Sequence, residues 1–359
     1  MTQVAIICDS HFGVRSDSPV FLSYFKKSLE WFFQQVEMLR ITHVIHLGDL
    51  FDRRKYLNFV TAKTCREYFL EALDKKGIET HIITGNHDMY YKDTHMVNSL
   101  REIVGNRYKN IHVHDEPVKL SYDGVEVQLI PWITDSNKEM SYKQIKETSA
   151  DLLMGHFDIK GFELHSGTVS DHGDDKSTFD KFDLVFSGHY HHKSSQGNIH
   201  YLGAFAEYTW SDYNDPRGFT FFDTNTRHFE LIRNPHSMFR MVSYDDVKTP
   251  DILEHIKKTD YSYLKDTYVK VICVNRENPY AFDMLLDKIY KVGPVDITIL
   301  EDISTFTEND ENSEIDESQN TSDILDGYIG GLTLSVNNDK MKTYMKDIYS
   351  EAISLKHVE

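Results

Sequence analysis

Between Val4 and His191, short apolar runs alternate with clusters of small and polar residues. Val4–Cys8 runs into Asp9-Ser10-His11, Val44–Leu47 into Gly48-Asp49, and Thr80–Thr84 into Gly85-Asn86-His87-Asp88. Leu152–Met154 leads to Gly155-His156, and Leu184–Phe186 to Gly188-His189-Tyr190-His191. Such runs, bounded by turn residues, read as buried strands. Between the first two, Phe21, Phe25, Leu29, Phe32, Phe33, Val36 and Leu39 repeat with the 3.6-residue period of an amphipathic helix over 21–40. A second helix is expected over Val60–Asp74, stopping near Gly77, and a third over Thr94–Val104. Strands alternating with helices imply a parallel sheet.

After residue 104 the rhythm changes. Val118–Ser121 and Val125–Pro131 flank Asp123-Gly124, a favoured hairpin turn. Asp158–Asp183 is polar and reads as a long loop. Ile199–Leu202, Gly218–Phe222 and His228–Ile232 read as further strands, expected to be antiparallel. The fold class is therefore α/β: a two-layered mixed β-sheet core flanked by helices, over residues 1–236. Residues 237–300 read as a small α+β unit, with strands near Met241–Tyr244, Tyr268–Val274 and Val295–Leu300 and helices at Asp251–Lys258 and Tyr280–Tyr290. Residues 301–331 read as an acidic flexible linker. Residues 332–359 read as a tail whose helix carries Met341, Met345, Ile348, Ala352 and Leu355 on one face, with Tyr344 and Tyr349 as aromatic anchors. A linker followed by a one-sided helix suggests a tethered docking element.

Charge changes this picture little. The net charge of −18 argues against a nucleic-acid partner. Glu301 to Asp326 supplies ten acids and no Lys or Arg, which leaves −8 for the rest. Several of those acids would be neutralised locally by divalent ions. Cys8, Cys65 and Cys273 are far apart and read as buried thiols of a reducing cytoplasm. No apolar run approaches the roughly 20 residues of a membrane span. Val4–Cys8 is too short for a signal peptide.

The chemistry lies at the five strand ends. Residues two apart on an extended segment face one way, so Asp9 and His11 can reach one ion together, and His189 and His191 repeat that geometry. Asp49 stands alone at its strand end and is the natural bridge between two ions. Asn86 and His87 point apart, so if Asn86 binds metal, His87 is free to face a substrate. With His156, these mixed oxygen and nitrogen donors suit two divalent ions of the Mn²⁺ or Fe²⁺ type, and can also hold Zn²⁺. His43, His46, His81, His112, His114 and His200, in or beside strands, read as structural.

Asp9-x-His11, Gly48-Asp49-x-x-Asp52, Gly85-Asn86-His87-Asp88, Gly155-His156 and Gly188-His189-x-His191 resemble the five motifs of the calcineurin-like metallophosphoesterases. Within that superfamily, their order and the C-terminal additions resemble the SbcD-type nuclease subunits of phage and cellular recombination. The resemblance implies a metal-dependent DNA exonuclease and endonuclease, acting on DNA ends in recombination and repair. It places one ion on Asp9, His11, Asp49 and His191, and the other on Asp49, Asn86, His156 and His189. Mn²⁺ is the favoured ion, with Mg²⁺ as the alternative, and His87 acts on the phosphate or leaving group. It also implies that residues 237–300 cap the DNA entry. The tail would dock on the coiled-coil root of an SMC-like, SbcC-type ATPase, in a heterotetramer built on a homodimer, in the cytoplasm (the host's, for a phage-encoded chain).

Asp52 departs from the pattern, since cellular members often have histidine there. Two roles are open for it: orienting His87 by a hydrogen bond as a catalytic partner, or capping the following helix. Arg15, Arg53, Arg54 and Lys55 lie beside the site and are candidates for DNA phosphates, against a plainly solvated face. The Asp52-Arg53 pair also resembles the protein phosphatases of the superfamily, so a phosphomonoesterase is the alternative enzyme. A non-catalytic DNA-end-binding scaffold is the alternative from another class. It usually lacks ligands, and none is missing here.

Overall fold

The computed structural model describes residues 2–165 and 168–301. Strands β1 (Gln3–Ile7), β2 (His43–His46), β3 (Glu79–Ile83) and β4 (Ile111–His114) run parallel in consecutive pairs. Helix α1 (Pro19–Met38) makes the first crossover, turning Phe21, Phe25, Leu29, Phe32 and Val36 onto the sheet. The second crossover is α2 (Phe59–Cys65), a π turn at Arg66–Leu70 and α3 (Glu71–Lys75), with Asn58 capping Val60 N–H. Strands β5 (Val118–Tyr122) and β6 (Val125–Ile130) form the expected hairpin, and helix α4 (Lys138–Glu147) leads to β7 (Leu152–His156). The polar stretch after β7 holds a small hairpin, β8 (Glu163–His165) and β9 (Thr168–Val169). Then come β10 (Leu184–Gly188), β11 (Ser194–Gln196), β12 (Ile199–Tyr201), β13 (Gly218–Asp223) and β14 (Phe229–Arg233).

These strands make two six-stranded mixed sheets, in the orders β14-β13-β1-β2-β3-β4 and β11-β12-β10-β7-β6-β5. Val4, Ile6, Ile45 and Ile83 of one meet Val127, Leu129, Met154 and Phe186 of the other. The helices pack on the outer face of the first sheet. Ile145 of α4, with Phe162, Phe179 and Phe182 from the connection after β7, covers the second. Among the described residues no helix is long and apolar enough to cross a membrane. The three cysteines are buried, and none forms a disulfide.

Three expectations need correction. Thr94–Val104 is not a full helix. Helical geometry is confined to its end, with a π turn at Leu100–Val104. Asn98 donates to His95 O and the Asp115 carboxylate, while His95 bonds Thr84 and the Trp132 carbonyl. Those buried side-chain bonds hold the segment in an irregular path that competes with a helix. Strand β12 is antiparallel to β11 but parallel to β10, because the chain reverses once between β10 and β11 and again in the hairpin at Gly197.

The third correction concerns residues 237–300. Strands β15 (Phe239–Asp245), β16 (Tyr268–Asn275) and β17 (Asp296–Glu301) pair in parallel through α5 (Ile252–Lys258) and α6 (Pro279–Val292). The expected strands and helices are present in the expected order, but with every pair parallel this is a βαβαβ layer with its own core rather than an α+β unit. It is tied to the main core: Phe239 and Tyr268 pack on Phe21, and the buried Glu207 carboxylate accepts Met238 and Phe239 N–H. The acidic linker and the tail residues Met341, Tyr344, Met345, Ile348, Tyr349 and Ala352 lie outside the described residues.

Candidate metal centre

The carboxyl ends of β1, β2 and β3 in one sheet and of β7 and β10 in the other converge. The backbone is unusual there: Asp9 (φ 50), His11 (φ 44), Asp49 (φ 54) and His189 (φ 86) all lie in the left-handed region. Side chains other than glycine rarely adopt it, and at functional sites the surrounding structure holds such residues in place. Here Asp49 Oδ1 accepts His87 N–H at 2.8 Å, Asp9 accepts His189 N–H at 3.0 and 3.2 Å, and Tyr208 donates to Asp9 O at 2.5 Å. Close approach sets Gly85, whose φ is ordinary. A Cβ there would lie 2.8 Å from Asp49 Cγ and closer still to Asp49 N and Oδ1. Gly85→Ala is expected to destabilise the chain by about 1–3 kcal/mol, as overpacking does, and to lower metal content; urea unfolding and elemental analysis check both.

Besides a marginal group of His11, Asp52 and His87, two groups of donors result: Asp9, His11 and His191, and Asp49, His156 and His189. Asp49 Oδ2 lies between them, 3.7 Å from His11 Nε2 and 3.4 Å from His156 Nε2. His156 Nδ1 donates to Leu47 O at 2.7 Å. In the neutral ring Nε2 is then a bare lone pair, yet it faces Asn86 Oδ1 at 2.9 Å as well as Asp49. His189 Nδ1 lies 3.1 Å from the same Asn86 oxygen. In the other group, His11 Nε2 and His191 Nε2 face each other at 3.0 Å. Acceptors crowded this closely are held by shared protons or by a shared cation. A ligating histidine typically donates its second nitrogen to a carbonyl, as His156 does. The buried oxygen and nitrogen donors thus fit divalent ions.

The electrostatics agree. Burial opposes charge on His156, but Asp49 and then Asp9 raise it to about 9. Burial lifts Asp9 to about 6, with Asp49 adding to the rise. Burial and the neighbouring His156 hold His189 down to about 3, and burial and His11 hold His191 well below its usual range. His189 and His191 are thus neutral, the ligating form, while at His156 a proton holds the place that a cation would take.

His87 stands at the margin, its ring 4.8 Å from that of His11. Its Nδ1 donates to the main-chain carbonyl of Asp52 at 2.6 Å, and burial keeps it below the usual histidine range. So the backbone of Asp52, not its carboxylate, orients His87. The carboxylate lies 3.5 Å from His11 Nδ1, a buried nitrogen with no hydrogen-bond partner. Nor does Asp52 cap the next helix, since Asn58 does. Of the four cations, Arg15 Nε donates to Tyr208 O and Arg53 pairs with Asp17 at 3.2 Å. Lys55 is exposed, and Arg54 keeps one buried nitrogen without a partner.

Three positioning residues and one wall residue carried no clear signal in the sequence. Asp88 accepts N–H groups from Gly85, Leu50 and Phe51, tying two ligand loops together. Its place beside His87 was the available signal. Tyr208 and Arg217 brace Asp9 and His191, and Arg217 donates to His191 O and Asp212. Both come from an irregular connection with no periodic pattern. Trp132 walls the site, 4.9 Å from the His189 ring, above a cavity of about 420 Å³ that also includes Lys92, Lys138 and Asp174.

The calcineurin-like phosphoesterase family model matches residues 2–193, and the chain belongs to that family. It is 30% identical over 351 residues to exonuclease subunit 1 of Enterobacteria phage T4, covering 96% of this chain and 97% of that one. It is 26% identical over 382 aligned positions to the D subunit of the SbcCD nuclease of Staphylococcus epidermidis, covering 93% and 95% respectively.

Proposed function

We propose that this chain is a metal-dependent DNA nuclease subunit that hydrolyses phosphodiester bonds at DNA ends with two divalent ions. The observation that carries this is the pair of acceptor clusters sharing Asp49, with His87 beside them. The similarity of nearly the whole chain to two nuclease subunits supports the substrate class. Asp9, His11, Asp49 and His191 would hold one ion, and Asp49, Asn86, His156 and His189 the other. Bound ions supply an acidified water and positive charge for phosphate oxygens. The chain's own residues do the rest. Asp49 aligns the two halves of the site. His87, its Nδ1–H committed to Asp52 O, takes up a proton at Nε2 from solvent and gives it to the leaving sugar oxygen. Arg54 and Lys55 are the cations left for DNA phosphates, since Arg15 and Arg53 are engaged within the chain. Arg53's bond to Asp17 also weakens the phosphatase reading, which needs that arginine for phosphate. Mn²⁺ is the first choice of ion and Mg²⁺ the second.

Digestion of end-labelled duplex DNA with Mn²⁺ or Mg²⁺, against hydrolysis of a small aryl phosphate, tests this. Preference for the aryl phosphate, with no DNA cleavage under either ion, overturns it.

The rest of the assembly belongs to the same proposal. Residues 237–300 cap the entry to the site, and residues 332–359 dock on an SbcC-type ATPase within a cytoplasmic complex built on a homodimer. Deleting residues 332–359 is expected to abolish co-purification with that ATPase and to spare cleavage of short duplexes. Retained co-purification removes the docking role.

A further inference from the structure

The carboxylate of Asp52 does not orient His87, and it faces His11 Nδ1, a buried nitrogen with no hydrogen-bond partner. Backbone bonds put it there. The loops after β1 and β2 continue as a short parallel ladder: His11 N–H donates to Asp49 O at 3.0 Å, Phe12 N–H to Leu50 O at 2.8 Å and Asp52 N–H to Phe12 O at 3.1 Å. The ladder sets Asp52 Oδ1 3.5 Å from His11 Nδ1. The His11 ring is held edge-on by the rings of His87, His191 and Tyr208, with centroids 4.8, 4.9 and 5.5 Å away.

The two nitrogens of His11 have different surroundings. Nε2 looks into the first donor group, 3.0 Å from His191 Nε2 and 3.7 Å from Asp49 Oδ2. Nδ1 looks toward Asp52. A cation on Nε2 occupies that lone pair, so the ring proton then sits on Nδ1. A buried N–H without an acceptor is costly, and the Asp52 carboxylate can supply one. At 3.5 Å the pair is longer than a hydrogen bond. The His11 side chain is 4% exposed and boxed in by rings, whereas that of Asp52 is 26% exposed and has room to turn. His11, Asp52 and His87 also lie within reach of a single ion. A neutral imidazole has one lone pair, however, so His11 cannot serve that group while its Nε2 ligates in the first.

We propose that Asp52 is a positioning residue of the metal centre: its carboxylate accepts the His11 Nδ1 proton, fixes the ring with Nε2 toward the ion and makes that nitrogen a stronger donor. This rests on the two-ion reading above. Asp52 then sets two histidines at once, His11 through its side chain and His87 through its carbonyl.

Titration of the full chain with Mn²⁺, with free Mn²⁺ read by electron paramagnetic resonance, tests this without reference to cleavage. The wild type is expected to take up two ions. Asp52→Ala should hold one of them about 10–100-fold more weakly, the usual cost of removing such a partner, and the other as the wild type does. Asp52→Asn keeps an oxygen that can accept the Nδ1 proton, so it should recover part of the loss. Asp52→Leu replaces the alanine variant if that one fails to fold. Wild-type affinity at both sites in the truncated variant overturns the role, as does an equal loss in it and in Asp52→Asn. A wild type that binds fewer than two ions removes the two-ion reading itself, and the role with it.

Discussion

Replacing Asp49 by alanine is expected to strip the chain of divalent metal and, with it, all phosphodiester hydrolysis. Asp49 is buried, stands between the two donor groups and accepts the N–H of His87. His156, and then His11, hold its carboxyl well below the usual range despite burial. Asp9 also approaches both groups, but it comes only to 4.0 Å from His156. Without Asp49, His11 and His156 lose the charge that lets them share cations, and the oriented His87 backbone loses its acceptor. Elemental analysis and cleavage of labelled duplex check the two losses together. Asp49→Asn keeps the shape and removes the charge. It should bind metal less well than wild type, and metal retained in full would show that charge is not what Asp49 contributes.

His87→Ala is expected to behave oppositely on one axis. Metal content stays at the wild-type level while turnover falls by about 10²–10⁴-fold, the usual worth of a positioned proton donor or acceptor. His87 lies beside the donor groups but spends Nδ1 on Asp52 O. Its removal therefore deletes a proton carrier without opening either group of ligands. A substrate with a more acidic leaving group should recover part of the loss, because it needs less protonation. Equal loss of metal in His87→Ala and Asp49→Ala would overturn this division of roles.

Much of the site is legible in the amino-acid order, for a local reason. Each ligand follows a short strand directly, and the strand's apolar run marks where the chain turns. Asp9 and His11 fall in one donor group, as their two-residue spacing predicts, whereas His189 and His191 fall in different ones. Asp52 shows the opposite case. Its side chain and its carbonyl point to different histidines, and only backbone geometry distinguishes them. The cations behave likewise. Arg15, Arg53, Arg54 and Lys55 look alike as charges in sequence, but Tyr208 and Asp17 engage two of them.

Helix and strand identity followed from periodicity, because burying one face of an element forces apolar residues to recur at its own period. Long-range pairing did not. That β12 lies parallel to β10, that residues 237–300 form an all-parallel layer, and that Asn98 and His95 break a helical stretch depend on partners far along the chain. The amino-acid order names the candidate donors. The packing of two sheets brings Asn86 within 2.9 Å of His156, seventy positions away. Such distances arise from how surfaces bury one another, and no local pattern in a chain encodes them.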